Sequence, residues 1–271
     1  MKIQGKEAVK VDRSFQGKTA LVLASSQGLG KAIAAKLAEG GSNVMLASRN
    51  SSKLEEVKRQ LQGDSGGQVD YTVCDITKSE DIKALIHKTV EKFGDIHILI
   101  NNAGGPPVGS FEDMDDEQWQ HAFELNLLSY IRTIREALPY LKKQGGKIIN
   151  IASSSIKEPI SGLILSNTFR TGIVGLSKTL AEEFAPYGIL VNTVAPGRIA
   201  TDRLKYLDKV NAEKQGISVE QLNEQIKKRI PLGRYGQPEE FANVVAFLAS
   251  DANTYMTGSS FLVDGGMIRS I

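Results

Sequence analysis

Ser166-Asn-Thr-Phe-Arg170 sets a hydroxyl and a guanidinium four residues apart in a helix-forming run, so both lie on one helix face. Such a pair can bind and orient a ligand, but it is poorly made to move a proton. A guanidinium keeps its charge in a protein, and a serine hydroxyl is a far weaker acid than a phenol. The other cluster with chemical potential is Leu23-Ala-Ser-Ser-Gln-Gly-Leu-Gly30, which follows an apolar run and opens directly into a helical pattern. A turn of this kind points backbone N–H groups outward at the positive end of a helix, where a pyrophosphate can sit. Ala24, Ser26, Gln27, Gly28, Leu29 and Gly30 are therefore candidate cofactor contacts. Gly28 and Gly30 permit close backbone approach and tight helix–strand packing, although two glycines in a strand–helix turn also occur for purely structural reasons.

About twenty residues after such a turn, a carboxylate holds the adenosine ribose in NAD sites, whereas an arginine accommodates the 2′-phosphate of NADP. Here the chain reads Leu46-Ala-Ser48-Arg49-Asn50, with no acid. Arg49 can meet a phosphate with two parallel hydrogen bonds and Ser48 can donate another. NADP is favoured, with NAD as second choice; the bland alternative is that Arg49 begins a solvated loop. No grouping of Cys, His and acids has metal-ligand spacing, and no base stands ready to turn Ser153 or Ser166 into a hydrolase nucleophile. His97 falls in an apolar run, His87 in a helical one, and His121 on the helix face leading to Asn126, so none has an obvious route to a substrate. Lys157, Glu158 and Tyr206 are candidate proton donors, each more often a surface residue than a catalyst.

The elements that must carry these groups alternate along the chain. Strands are expected near 18–24, 43–48, 69–74, 96–101, 147–152, 189–194 and 260–263, and amphipathic helices over 28–39, 52–62, 79–93, 116–142, 166–185 and 238–249. Such alternation implies an α/β fold, a doubly wound and mostly parallel sheet with helices on both faces. No linker or repeat divides residues 1–271, which read as a single domain with an N-terminal extension over 1–16. The polar interval 202–230 is expected to form one or two mobile helices over a substrate site, with a solvated excursion as the alternative.

The 271 residues are 41% hydrophobic and 24% charged, enough for a two-sided core. A formal net charge of +2 argues against nucleic acid or an anionic membrane as partner. No apolar run approaches the roughly 20 residues needed to span a bilayer, and residues 1–16 lack a signal-peptide core. The single cysteine, Cys74, is expected as a small buried residue. The cytoplasm is the expected compartment.

Further segments carry a family resemblance. Asp75-Ile76, Asn101-Asn-Ala-Gly104, Ala195-Pro-Gly-Arg-Ile-Ala-Thr201 and Thr257–Gly266 occur in the order and spacing of the short-chain dehydrogenase/reductase family, over about residues 17–266. The chain looks most similar to the branch containing 3-oxoacyl-[acyl-carrier-protein] reductases. The glycine turn resembles that family's T-G-x-x-x-G-x-G, with Leu23 and Ala24 in place of Thr and the first Gly. The resemblance implies that Asp75 and Ile76 contact the adenine, that Asn102, Ala103 and Gly104 support the cofactor, and that Pro196, Gly197, Ile199 and Thr201 clasp the nicotinamide amide. It also implies that Ser153 orients the substrate oxygen and that Asn126 holds a water. The family's catalytic Tyr belongs thirteen residues beyond Ser153, where Ser166 stands, and its Lys four later, where Arg170 stands. Arg170 can keep the ribose contact. None of the seven tyrosines has a Lys four residues on.

Three functions follow. One is an NADP-dependent oxidoreductase interconverting a carbonyl and an alcohol, with Asn126, Ser153, Ser166 and Arg170 lining the site and water or a residue of 202–230 supplying the proton. The second is a silent NADP-binding redox sensor or partner subunit. The third keeps the fold without the cofactor. The resemblance implies a homotetramer or homodimer; Leu176, Leu180 and Phe184 form an apolar stripe that serves an interface or the chain's own core equally well. Gly105–Pro107, Ile156–Leu165 and 202–230 are expected to shape the pocket, and the apolar content of the first two gives a slight pointer to a hydrophobic small-molecule substrate.

Overall fold

The alternation of apolar side chains along each strand decides which helices cover which face. In β1 (Thr19–Leu23), all five residues are buried. Ala20 and Val22 face one core and Leu21 and Leu23 the other. The computed structural model describes residues 14–63 and 66–270, so most of the expected extension over 1–16 lies outside the described residues. The first core is closed by α1 (Gly28–Glu39), α2 (Ser51–Gln62) and α9 (Pro238–Ala249), through Ile33, Leu37, Leu54, Val57, Phe241 and Val245. The second is closed by α3 (Ser79–Phe93), α5 (Ser129–Leu141) and α6 (Ile164–Phe184), through Ile82, Leu85, Tyr130, Ile134, Ile173 and Phe184. Leu176 and Leu180 pack partly buried against this second core, which gives the α6 stripe an intrachain partner.

Seven strands form one sheet in the order β3-β2-β1-β4-β5-β6-β7, every pair parallel. The others are β2 (Asn43–Ser48), β3 (Val69–Val73), β4 (Ile98–Asn101), β5 (Gly146–Ile151), β6 (Ile189–Pro196) and β7 (Ser260–Val263). The chain winds outward from β1 to β3 and then returns to place β4 on β1's other side. That reversal opens a crevice at the carboxyl ends of β1 and β4, the place where open α/β sheets bind ligands.

Three expected boundaries differ for local reasons. The strand expected over 96–101 begins at Ile98, because the Thr19 N–H donates to the His97 ring Nδ1 at 3.0 Å and not to the ladder. The helix expected over 116–142 divides into α4 (Asp116–Phe123), a π-helical turn over Glu124–Leu128, and α5. Side chains feed back onto the backbone there: Asn126 Nδ2 donates to Ala122 O at 3.3 Å and Ser129 Oγ to Leu125 O at 2.7 Å. The interval 202–230 forms two helices, α7 (Asp202–Gln215) and α8 (Val219–Arg229). Left-handed Gly216 (φ +63°) ends the first, and a Ser218/Gln221 capping box starts the second. This pair has its own small core of Ala212, Leu222, Ile226 and Ile230. A polar latch adds to it: Arg198 pairs with Asp208, and the Tyr235 hydroxyl bonds both Asp208 Oδ2 and Asn223 Oδ1 at 3.0 Å.

Candidate active site

The crevice is floored by a buried polar string. Asn101 Nδ2 on β4 donates to Asn150 Oδ1 at 2.8 Å. Asn150 Nδ2 on β5 donates to Ser177 Oγ at 2.8 Å, and Thr193 Oγ1 on β6 donates to the same Ser177 oxygen at 2.9 Å. Apolar side chains would fill these positions with less electrostatic risk. The polar ones fix the relative register of three strands and α6 beneath the site, because each is costly to leave unpaired.

At the nucleotide end, the chain leaves β1 through Ala24 with φ +49°, the one described non-glycine residue at positive φ. Left-handed backbone costs a residue with a Cβ about 1–2 kcal/mol. Gly28 follows at φ +56°. A Cβ on Gly30 would lie 2.2 Å from Ala24 O and 2.9 Å from Asn102 Nδ2, so only glycine lets α1 start this close to β1 and β4. Ser25 fastens the turn to β2: its hydroxyl accepts from Ala47 N at 2.9 Å. The N-cap Gln27 makes no capping bond with its side chain and no acid lies in the first turn of α1; Gln27 Oε1 accepts from Lys53 Nζ at 2.6 Å instead. The open, positive helix start that remains fits a pyrophosphate. Leu29 packs against the first core, and Ser26 lies half-buried at the turn.

Of the remaining cofactor candidates, Thr201 and Asn102 come up against this turn. Thr201 caps α7 and accepts from Leu204 N at 3.3 Å. Its methyl carbon lies 3.6 Å from where a Gly28 Cβ would be, which closes the Pro196–Thr201 segment over the turn. Gly197 is pressed against Asp264, 2.5 Å from a hypothetical Cβ to the Asp264 Cβ, and its N–H donates to Val263 O. Pro196 ends β6 and Ile199 is buried. Arg49 is exposed at the end of β2, beside Ser48, whose hydroxyl accepts from Asn50 N. Asp75 takes hydrogen bonds from the Thr77 N–H and hydroxyl at 3.1 and 2.8 Å. Burial acts to raise its pKa, but those bonds and the charge of Arg49 prevail and hold the carboxyl below its ordinary range. Ile76, Asn102 and Ala103 are buried and Gly104 is exposed. Replacing Ala24 with Gly is expected to stabilise the protein by up to about 1 kcal/mol, since the strain relieved exceeds the extra chain entropy of glycine. A melting curve checks this: an unchanged or lower midpoint would mean that Ala24 sits in its turn without strain.

At the other end, α6 carries Ser166 and Arg170, both buried, at 8% and 4% exposure. Arg170 makes no ion pair among the described residues. Its Nη1 donates to Ile151 O at 2.7 Å and to the Tyr130 hydroxyl at 3.0 Å, and its Nη2 to Ala103 O at 3.1 Å. A buried cation held only by neutral acceptors leaves positive potential in the crevice. Tyr130 itself is fully buried and donates to Ile151 O at 2.8 Å; burial pushes its phenol above the ordinary range, against the opposing pull of Arg170. Ser153 begins a short 3₁₀ turn and accepts from Ser155 N at 3.2 Å. Among the described residues Asn126 Oδ1, in the π-turn, is buried without a hydrogen-bond donor, as are Asn101 Oδ1 and Ser155 Oγ. α6 crosses that turn closely, since a Cβ on Gly172 would come 3.0 Å from Leu127 Cδ2.

Residues that sequence spacing alone did not single out are Tyr130, Lys53 and Arg203. Tyr130 lies only four residues past Asn126, but its pairing with Arg170 spans 40 positions. Of the suggested proton donors, Lys157 and Glu158 are exposed, and Tyr206 is 54% exposed with its ring under Arg203, 5.6 Å from centroid to guanidinium carbon. His97 is occupied with Thr19, and His87 and His121 are exposed. Among the described residues there is no grouping of three or more metal-ligating side chains, and Cys74 is buried, its thiol pushed up to about 12 chiefly by burial.

The family model described as enoyl-(acyl carrier protein) reductase matches residues 23–268. Human dehydrogenase/reductase SDR family member 4 is 36% identical over 253 residues, covering 92% of this chain and 87% of that protein. The 3-oxoacyl-[acyl-carrier-protein] reductase of Thermotoga maritima is 34% identical over 255 residues, covering 94% and 99%. L-sorbose reductase from Gluconobacter frateurii, solved with NADPH and L-sorbose, superposes with a TM-score of 0.91 at 32% identity, covering 96% of this chain and 100% of that one. Solved neighbours of this chain include NADPH-dependent reductases and NADPH complexes.

Proposed function

The chain belongs to the short-chain dehydrogenase/reductase family, and from that premise we propose that it is an NADP-dependent oxidoreductase interconverting a carbonyl and an alcohol through an altered proton-donor site. The observation that carries the reading is the convergence, on one crevice, of an uncapped helix start, Thr201 over Gly28, and the buried Arg170 beside Ser166. Ala24, Ser26–Gly30, Ser48, Arg49, Asp75, Ile76, Asn102–Gly104, Arg170, Pro196, Gly197, Ile199 and Thr201 would hold the cofactor, which supplies a hydride when bound. Ser153 orients the substrate oxygen. Arg170 stabilises negative charge that develops on that oxygen, since a fixed cation in a site with little water acts strongly. Asn126 Oδ1 accepts from a water, and that water replaces the family's tyrosine as proton source, with Ser166 able to relay. Residues 1–271 act as one domain with 202–230 as lid, in a cytoplasmic homotetramer or homodimer; among the described residues no helix is long and apolar enough to cross a membrane.

The sequestered Tyr130 phenol favours a second reading, a silent NADP-binding sensor or partner subunit, because the one phenol bonded to Arg170 is fully buried. NADPH consumption against a panel of ketones, 3-oxoacyl thioesters and quinones tests the first reading. The double change Ser166→Tyr with Arg170→Lys separates the two. Activity that falls means the present side chains have their own chemistry, whereas activity that first arises in the double variant means the native site is idle.

A further inference from the structure

Arg203, the second residue of α7, has a setting unlike the ion-paired lysines of α7 and α8. Lys205 pairs with Asp202, Lys209 with Glu213, and Lys227 with Glu224, all on exposed helix faces. Arg203 turns inward and is only partly exposed. Its Nη2 donates to Pro106 O at 2.6 Å, its guanidinium carbon lies 5.6 Å from the Tyr206 ring centroid, and it packs against Gly105. A Cβ at Gly105 would come within 2.9 Å of both Nε and Nη2, so a side chain at 105 would push the guanidinium from its present place. No carboxylate among the described residues pairs with it. Of the acids in its helix, Asp202 is taken by Lys205 and Asp208 by Arg198 and Tyr235. Burial and the neighbouring positive charge of Arg170 both lower its pKa.

An oriented arginine fork with donors to spare, braced by a carbonyl and an aromatic face, is built to take a carboxylate or phosphate. The cofactor's pyrophosphate has its own seat at the start of α1, and Thr201 is the residue that closes over that seat. Arg203 reaches Gly105 and Pro106 instead. We propose that Arg203 recognises an anionic group on the substrate itself, so that this protein acts on carbonyl compounds carrying a carboxylate or a phosphate monoester. This rests on the oxidoreductase reading for the reaction but not for the binding.

The test is calorimetric and needs no turnover. Protein with and without saturating NADP is titrated with two matched pairs: levulinate against methyl levulinate, and dihydroxyacetone phosphate against dihydroxyacetone. In at least one pair the charged member is expected to bind tenfold or more tightly than the neutral one. The pair that shows the preference identifies carboxylate or phosphate as the source. Arg203→Met is expected to reduce that preference to less than about threefold, a loss in line with removing one charge-assisted contact, and Arg203→Lys to retain part of it. Melting curves confirm that both variants fold, and the lysine variant carries the test if the methionine one does not. Equal binding within both pairs overturns the proposal, as does absence of binding. So does a preference that survives in Arg203→Met, or a tenfold loss of NADP affinity there, which would assign Arg203 to the cofactor. A charge preference without NADPH consumption on any carbonyl sinks the reductase reading and leaves this one standing.

Discussion

Arg170→Met is expected to lower NADPH-dependent turnover by roughly 10²- to 10³-fold, the range seen when one preorganised group facing developing charge is lost, while leaving the melting temperature nearly unchanged. The reason is a near-cancellation. Burying an unpaired guanidinium costs several kcal/mol. Against that stand three charge-assisted hydrogen bonds, to Ile151 O, Ala103 O and the Tyr130 hydroxyl, at about 1.5–3 kcal/mol each. Methionine removes both sides at similar volume, and Tyr130 still donates to Ile151 O. The folding free energy should then move by no more than about 1 kcal/mol, or roughly 2–4 °C for a chain of this size. Steady-state kinetics and a thermal melt on the same preparation check the pair of outcomes. A collapse in stability with undiminished rate per folded molecule would make Arg170 a brace for the β5 end and remove it from the chemistry.

Arg49→Glu should invert cofactor preference. Losing a charge-assisted contact to a 2′-phosphate costs about 1.5–3 kcal/mol, and a carboxylate in its place repels the phosphate, so NADPH affinity should fall about 10²-fold. NADH affinity should hold or improve, because a carboxylate at this position can accept from both ribose hydroxyls. Arg49 is exposed, so the effect shrinks as salt rises and belongs at low ionic strength. Dissociation constants for both nucleotides, read by nicotinamide fluorescence, decide it. Parallel losses for NADPH and NADH would mean that Arg49 does not discriminate between them.

The fold was readable because its signals are local and repeated. Each buried strand is a short apolar run, and Gly28 and Gly30 mark the first strand–helix turn wherever the rest of the chain goes. The α/β class, the strand sequence and both helix layers follow from that. The π-turn at 124–128 was not readable, since its cause is a set of side-chain bonds to the backbone that an ordinary helical pattern conceals. The surroundings of Arg170 were equally hidden: its acceptors come from residues 103, 130 and 151, brought together only by β4, α5 and β5. Arg203 was lost among the lysines and glutamates of 202–230, where charge pattern alone does not tell an inward arginine from an outward one. The strain at Ala24 left a trace, an alanine where the resembling turn has glycine, but its positive φ needed the backbone.

Ser177 anchors α6 to the sheet floor seven residues, about two turns, beyond Arg170. The helix is thus clamped at its middle and free of that clamp at the end that carries Ser166. Of the side chains in its first two turns, Arg170 ties the helix to Ile151 O and Ala103 O, whereas Ser166 takes no part in the clamp beneath β4, β5 and β6. The architecture behaves like a tool holder with a replaceable bit, and reagents or designs meant to change what this protein does should be aimed at the bit.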